Sequence, residues 1–205
     1  MKRVILFFAV LWLLICTACA ESEITFAGIP WLTNDVTAID LLEEAGLLRA
    51  NVQVIDVQEA TPTYLIKSDM GWVSPYHLLG VDEVTSCIDL SKVVRGRIAG
   101  FPIKNIKLSF AYDGDYKLIA VEVSLINAPY DSIKEKLKRV YGAGEEKKDE
   151  DEGIDVVLWH GEDESALLLY TLSDGYNYTL MYGRFDAESI IMNCMSVDPN
   201  DVSGL

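Results

Sequence analysis

The sequence predicts an α+β protein: an antiparallel β-sheet with helices packed on one face. Three observations carry that reading. Residues 106–125 form two alternating apolar–polar runs around Asp113-Gly114-Asp115. Two segments, 35–46 and 131–142, carry apolar residues at helical spacing and end in glycine. After residue 154, three more runs have strand composition.

The elements follow in order. Ile24 to Phe26 alternates weakly and leads into Gly28-Ile29-Pro30-Trp31, where a strand should end because Pro30 has no N–H to give a ladder. Thr33 or Asn34 can cap a helix whose body is Val36, Ile39 and Leu42, with Gly46 as its stop. Val52 to Val57 alternates as a strand does, and Thr63 to Lys67 and the stretch around Trp72 are weaker strand candidates. Tyr76 to Leu90 has no decisive period. Ile106, Leu108, Phe110 and Tyr112 share one face, as do Ile119, Val121, Val123 and Leu125. The intervening residues are small or polar, which predicts a hairpin with one wet side.

Pro129 ends that hairpin, and Ser132-Ile133-Lys134-Glu135 has the spacing of a capping box. The helix it opens has an apolar stripe of Ile133, Leu137, Val140 and Tyr141, and Gly142 stops it. Glu145 to Glu152 is charged throughout and reads as a solvated loop. Asp155 to His160, Ser165 to Leu172 and Tyr176 to Gly183 read as strands, with Asp174-Gly175 as a tight turn. Ala187, Ile190, Ile191 and Cys194 repeat at helical spacing. The equal lengths of Asp35–Gly46 and Asp131–Gly142 raise the prospect of two similar helix-plus-sheet halves, 21–100 and 101–205. Ordinary capping chemistry produces the same coincidence and is the preferred account.

The first twenty residues are of a different kind. Lys2 and Arg3 precede an unbroken apolar run from Val4 to Ile15, then Cys16-Thr17-Ala18-Cys19-Ala20. That order is an export signal over residues 1–20, with Ala18-Cys19-Ala20 fitting cleavage after Ala20 and leaving one α+β domain over 21–205. The apolar core is 12 residues long, short of the roughly 20 that span a bilayer. Cys16-Thr17-Ala18-Cys19 also resembles a lipobox, in which Cys19 would carry a lipid. Cys16 stands where Leu is usual, so soluble secretion is the preferred of the two.

Without the signal, fifteen basic residues stand against thirty-two acidic ones, a net charge of −17. Such a balance disfavours nucleic acid and anionic membrane as partners, leaving a lipid on Cys19 as the one route to a membrane. Two cysteines, Cys87 and Cys194, persist in the mature chain. In an oxidising compartment they could pair, closing a loop of about 100 residues worth ~4–5 kcal/mol on the chain-entropy model, or stay as buried thiols.

Phe26-Ala27-Gly28-Ile29-Pro30-Trp31 resembles a group of uncharacterised exported proteins of Gram-positive bacteria that begin with F-x-G-I-P-W just after the signal. In that group Gly commonly follows the Trp; here it is Leu32. The run Tyr130 to Gly142, Trp159 and the Tyr-rich strands extend the likeness. The helix-then-sheet order also resembles, at the level of fold alone, beta-lactamase-inhibitor proteins and small outer-membrane assembly lipoproteins. Neither resemblance implies catalytic residues.

Chemistry-bearing motifs are sparse. No G-x-S-x-G or Ser-x-x-Lys motif is present, and Gly142-Ala143-Gly144 follows a helix where a phosphate loop would open one. Asp149 to Asp155 misses the calcium-loop spacing by one residue at Gly153. His160, ahead of Glu162-Asp163-Glu164, is the one candidate acid–base or ligand histidine; an ordinary strand-end side chain is the plainer account. No metal or cofactor is expected. Trp159, Tyr176 and Tyr178, with His160, form the candidate binding residues, because Tyr and Trp give large contact area at low entropic cost. Core filling competes with that role for Trp31 and Trp159. The expectation is an exported, non-enzymatic binding module for a protein or small-molecule ligand. The alternatives are an extracytoplasmic carboxylate hydrolase using His160, and a lipid-anchored envelope-assembly protein.

Overall fold

In the computed structural model, residues 23–49, 66–68, 71–73, 86–112, 115–149, 154–171 and 178–184 are described. Their elements are helix α1 (Asp35–Glu44), strands β1 (Ile66–Ser68), β2 (Gly71–Val73), β3 (Ser86–Asp89), β4 (Arg97–Ile98), β5 (Phe101–Tyr112) and β6 (Tyr116–Leu125), helix α2 (Tyr130–Tyr141), and strands β7 (Glu145–Asp149), β8 (Ile154–His160), β9 (Ser165–Thr171) and β10 (Tyr178–Arg184). The predicted α+β class is what the chain forms. β1 and β2 make a separate antiparallel pair. The other eight strands form one antiparallel sheet in the order β3-β5-β6-β10-β9-β8-β7, with β4 beside β5. Two meanders, β3-β5-β6 and β7-β8-β9-β10, meet where the last strand of each pairs with the other, Val121 opposite Tyr182 and Val123 opposite Leu180. The meanders change over between Leu125 and Tyr130. A cut between residues 100 and 101 would instead part β3 from its partner β5.

Both helices lie over one face of this sheet. Ala38 and Leu42 of α1, and Ile133 and Leu137 of α2, join Ile106, Leu108, Phe110, Val121, Val123, Leu167, Leu169 and Leu180 in one core. α1 starts where Asn34 accepts the Thr37 N–H at 2.8 Å. It stops at Gly46, whose φ of +73° puts it in the left-handed region glycine tolerates. Val36, expected on its buried stripe, is 64 % exposed; the inward row is Ala38 and Leu42.

Four other expectations are corrected. Ile24 to Phe26 is not a strand. Positive φ at Ala27 and Gly28 folds the chain back directly after Phe26, and Ile24, Phe26, Ile29 and Trp31 all turn into the core. The predicted wet side of the hairpin is dry at its centre. Ser109, Ala111, Ala120, Leu168, Tyr170 and Met181, on the face away from the helices, are each at most 1 % exposed; small and apolar side chains dominate there, with the ion pair Lys107–Glu122 at 3.3 Å set among them. The Ser132–Glu135 capping box is not at the cap. α2 opens at Tyr130, directly after Pro129 in the extended conformation, with no side-chain bond at its N-cap, and Val140 in its last turn is 72 % exposed. Finally, Glu145 to Asp149 is not a loop. It is strand β7, paired with β8 from Glu145–Leu158 to Asp149–Ile154. An edge strand needs no buried face, so charge does not exclude it, and charged side chains suit an edge.

The β5–β6 pair is longer than its periodicity suggests because two bulges reset it. Lys104 is the extra residue in β5, and Ile119 the extra residue in β6, between the pairs Ser109–Ala120 and Phe110–Leu118. The second bulge places Leu118 in the core where strict alternation would place Ile119. The predicted strand over Val52 to Val57, the turn at Asp174-Gly175 and the helix after Ala187 lie outside the described residues.

Leu32 holds φ +65°, a conformation that costs an L-residue roughly 1–2 kcal/mol. Its N–H donates to the Leu118 carbonyl at 2.9 Å, and Leu118 donates back to Thr33, so the turn cannot relax without losing that bridge. Leu32→Gly is expected to stabilise the protein by about 1 kcal/mol, after allowing for glycine's extra chain entropy. Denaturant unfolding measures it; an unchanged or lower midpoint would mean the Leu32 side chain outweighs its backbone strain.

Candidate functional site

The sequence-predicted site residues part company in the structure. Trp159 is core: 2 % exposed, with Nε1 donating to the Gly142 carbonyl at 2.9 Å. Gly144 lies so close to the ring that an added Cβ would come within 2.8 Å of Trp159 Nε1. Trp159 therefore fastens the end of α2 and the entry to β7 against β8. Trp31 is core as well, its Nε1 donating to Ile24 O at 3.0 Å. Phe26 packs on Tyr182 with ring centroids 5.2 Å apart. The F-x-G-I-P-W segment thus acts as an N-terminal plug on the helix side of the sheet.

His160 falls on the opposite face from Trp159, as strand alternation requires. It is half-exposed, and its Nε2 stands 3.5 Å from Glu145 Oε1. Among the described residues no group of three His, Cys, Asp or Glu side chains is placed to hold a metal ion. Cys87 is a buried free thiol whose pKa burial pushes up; such a thiol is a poor nucleophile at neutral pH. Its possible disulfide partner Cys194, the lipidation candidate Cys19 and the candidate Tyr176 lie outside the described residues.

Tyr178 is the predicted residue that sits in a distinctive place. It opens β10 on the helix side of the sheet, with Thr171 opposite it. Thr171 Oγ1 in turn accepts the Asp155 N–H at 2.8 Å, so β8, β9 and β10 end in one row of polar residues. Over that row stands the first turn of α2. The Tyr130 ring meets the Tyr178 ring edge-on, centroids 5.9 Å apart. Both hydroxyl oxygens are buried, and neither has a hydrogen-bond partner among the described residues. Buried polar groups in folded proteins almost always find a partner, so two orphans in contact mark this corner out.

The corner is also charged. Lys134 and Lys138, one turn apart on α2, both reach Glu146 of β7 at 2.6 Å, and Lys134 Nζ lies 5.9 Å from the Tyr130 ring centroid. Burial pushes the Tyr130 hydroxyl well above its ordinary pKa, and the carboxylates of Asp155, Glu146 and Asp131 push it further. Burial alone raises Tyr178 to about 12. Both phenols therefore keep their protons at any physiological pH, able to donate one hydrogen bond each and to accept others.

Sequence reasoning found Tyr178 and missed Tyr130, Lys134 and Glu146. Tyr130 looked like a residue before the helix, and Glu146 like part of a loop. The signal that could have found them was the pair Lys134 and Lys138 at i, i+4, aimed at the next acidic run.

Compared with protein-family models, curated proteins and solved structures, the chain matches none of them. The corner must therefore be read from its own chemistry.

The lysine clamp sets a pH dependence. Hydrogen bonds from Lys134 and Lys138 hold Glu146 down to about 2, against an ordinary 4.5. A carboxylate with a depressed folded pKa contributes stability above its unfolded pKa and loses it as pH falls through the folded one. Stability is expected to decline between about pH 4.5 and 2, with Glu146→Gln losing part of that slope. Unfolding midpoints across this range test it; a slope identical to the parent's would show that the exposed clamp contributes nothing.

Proposed function

We propose that this protein is an exported, non-enzymatic binding module whose binding corner is formed by Tyr130 and Tyr178, flanked by Lys134 and Glu146. The observation that carries the reading is the pair of buried phenol hydroxyls without partners among the described residues. A fold left to optimise stability alone would place phenylalanine at such positions, because an unmet hydroxyl costs about 1–3 kcal/mol of desolvation. Groups kept against stability are a mark of function. Trp159, Trp31 and Tyr182 have no share in the corner, since they fill the core. His160 stands exposed beside Glu145, on the other face of the sheet, and no described cleft joins it to the tyrosines.

The place of action follows from the signal over residues 1–20, and soluble release after Ala20 is the favoured outcome. Ile24 is already locked into the body: its N–H donates to Ser165 Oγ at 2.7 Å, and it is 2 % exposed. A lipid on Cys19 would leave at most roughly 17 Å of extended chain between anchor and core. Next to Ile24, the exposed Glu162-Asp163-Glu164 turn would then face the bilayer. Anionic lipid headgroups repel such a surface at this range.

Two experiments test the proposal. Tyr130→Phe and Tyr178→Phe should each raise the unfolding free energy by about 1 kcal/mol without ligand; a loss of stability would mean the hydroxyls have partners within the fold, and the site reading fails. Mass spectrometry of the mature N-terminus should find Glu21, whereas a diacylglyceryl Cys19 would overturn soluble release and favour a lipid-anchored envelope protein.

A further inference from the structure

We propose that residues 185–194 lie across the sheet face away from the helices, and that Cys194 joins Cys87 there in a disulfide after export. The inference goes beyond the binding-module reading and does not rest on it. Gly183 of β10 stands opposite Ala120 of β6, Ala120 opposite Ser109 of β5, and Ser109 opposite Cys87 of β3. The four make one row of small residues across four strands. Ser109 is 0 %, Ala120 1 % and Cys87 7 % exposed, and Gly183 is buried with them. The two helices, the N-terminal plug and the turn after Leu90 all pack into the core on the other side of the sheet. None of these covers the row, so the atoms that keep water from it belong to another part of the chain.

The sequence says which part. β10 ends at Arg184, one residue past the row, so the chain leaves the sheet at the row's own end. Ala187, Ile190, Ile191 and Cys194 then fall at i, i+3, i+4 and i+7, one apolar stripe that needs an apolar surface to cover. Three strand spacings separate β10 from β3, roughly 14 Å. The ten residues 185–194 rise about 15 Å as a helix. Laid along the row, that helix sets Cys194 over Cys87, and Gly183, Ala120 and Ser109 have no bulk to hold it off. Cys87 is a free thiol in the structure, the reduced form of the pair. Oxidation is an exchange with an external disulfide oxidant of the dithiol class. The Cys194 thiolate breaks the oxidant's S–S bond and forms a mixed disulfide. The Cys87 thiolate then attacks Cys194 Sγ and releases the oxidant as a dithiol. That dithiol carries away the two electrons and takes up the two thiol protons. Burial pushes the Cys87 thiol up, so the exchange takes place before the row is covered.

The test uses the exported full chain, alkylated in denaturant without reductant, digested and mapped by mass spectrometry. The expected result is one peptide pair linked through Cys87 and Cys194, with neither thiol alkylated. A disulfide needs its two Cα atoms within about 7 Å, so that link also places the segment on the row. Two alkylated thiols, or Cys87 joined to Cys19 or to a second chain, overturn the proposal. Reduction opens a loop of about 100 residues and is expected to lower the folding equilibrium constant roughly a thousand-fold, read from denaturant midpoints with and without dithiothreitol. Cys194→Ser should match the reduced parent and ignore the reductant. A variant as stable as the oxidised parent overturns the claim that the bridge fastens this face. Neither measurement bears on the Tyr130 and Tyr178 hydroxyls, so the binding-module reading stands or falls separately.

Discussion

The antiparallel pairing of β6 with β10 is the constraint on which the rest of the structure depends. Each strand closes its own meander, so this one ladder turns two small sheets into one. Its register sets Val121 beside Tyr182 and Val123 beside Leu180 on the helix side. A slip of either strand by one residue would send its own two to the other face. Tyr182 then supplies the surface on which Phe26 stacks, and the N-terminal plug closes the core from that side. Joined, the two sheets share one layer of Leu, Ile and Val under two helices.

Polar groups are used sparingly within that layer, and their positions divide fastening from function. Trp159, Trp31 and Ser165 each satisfy a main-chain group at a chain crossing: Gly142, Ile24 and again Ile24. These are structural bonds, and each explains why its residue is buried. The Tyr130 and Tyr178 hydroxyls have no partner among the described residues. The contrast sets the proposed binding corner apart from aromatics that fill space, although sequence composition treats all of them alike.

Charge has a similar division. The acidic excess keeps the surface soluble and repels anions at long range. At α2 and β7, however, two lysines converge on one glutamate and hold the edge strand against the helix. That clamp fixes the margin of the corner where Tyr130 stands, and it leaves an ammonium beside an aromatic ring.

Much of the fold was legible in the sequence. The α+β class, the long hairpin, both helices and the strands β8, β9 and β10 follow from local periodicity and from punctuation by Gly, Pro and Asn. Both helices end at Gly46 and Gly142 as the residues demand, because only glycine takes those positive φ values cheaply. Tyr178 was legible as a candidate because of its turn. Other features were decided by tertiary structure alone. β7 is a strand because β8 offers it a ladder, and its own residues give no sign of it. Ile119 is displaced from the helix-side cluster, though it stays fully buried, by a bulge that alternation cannot foresee. Trp159 became a fastener when Gly142 and Gly144 came within reach of its ring. The pairing of Tyr130 with Tyr178, 48 positions apart in the chain, exists only after α2 is laid across the ends of β8, β9 and β10. Local sequence sets what each segment prefers; which side chains meet, and which hydroxyls go unmet, is settled by packing between segments distant in the chain.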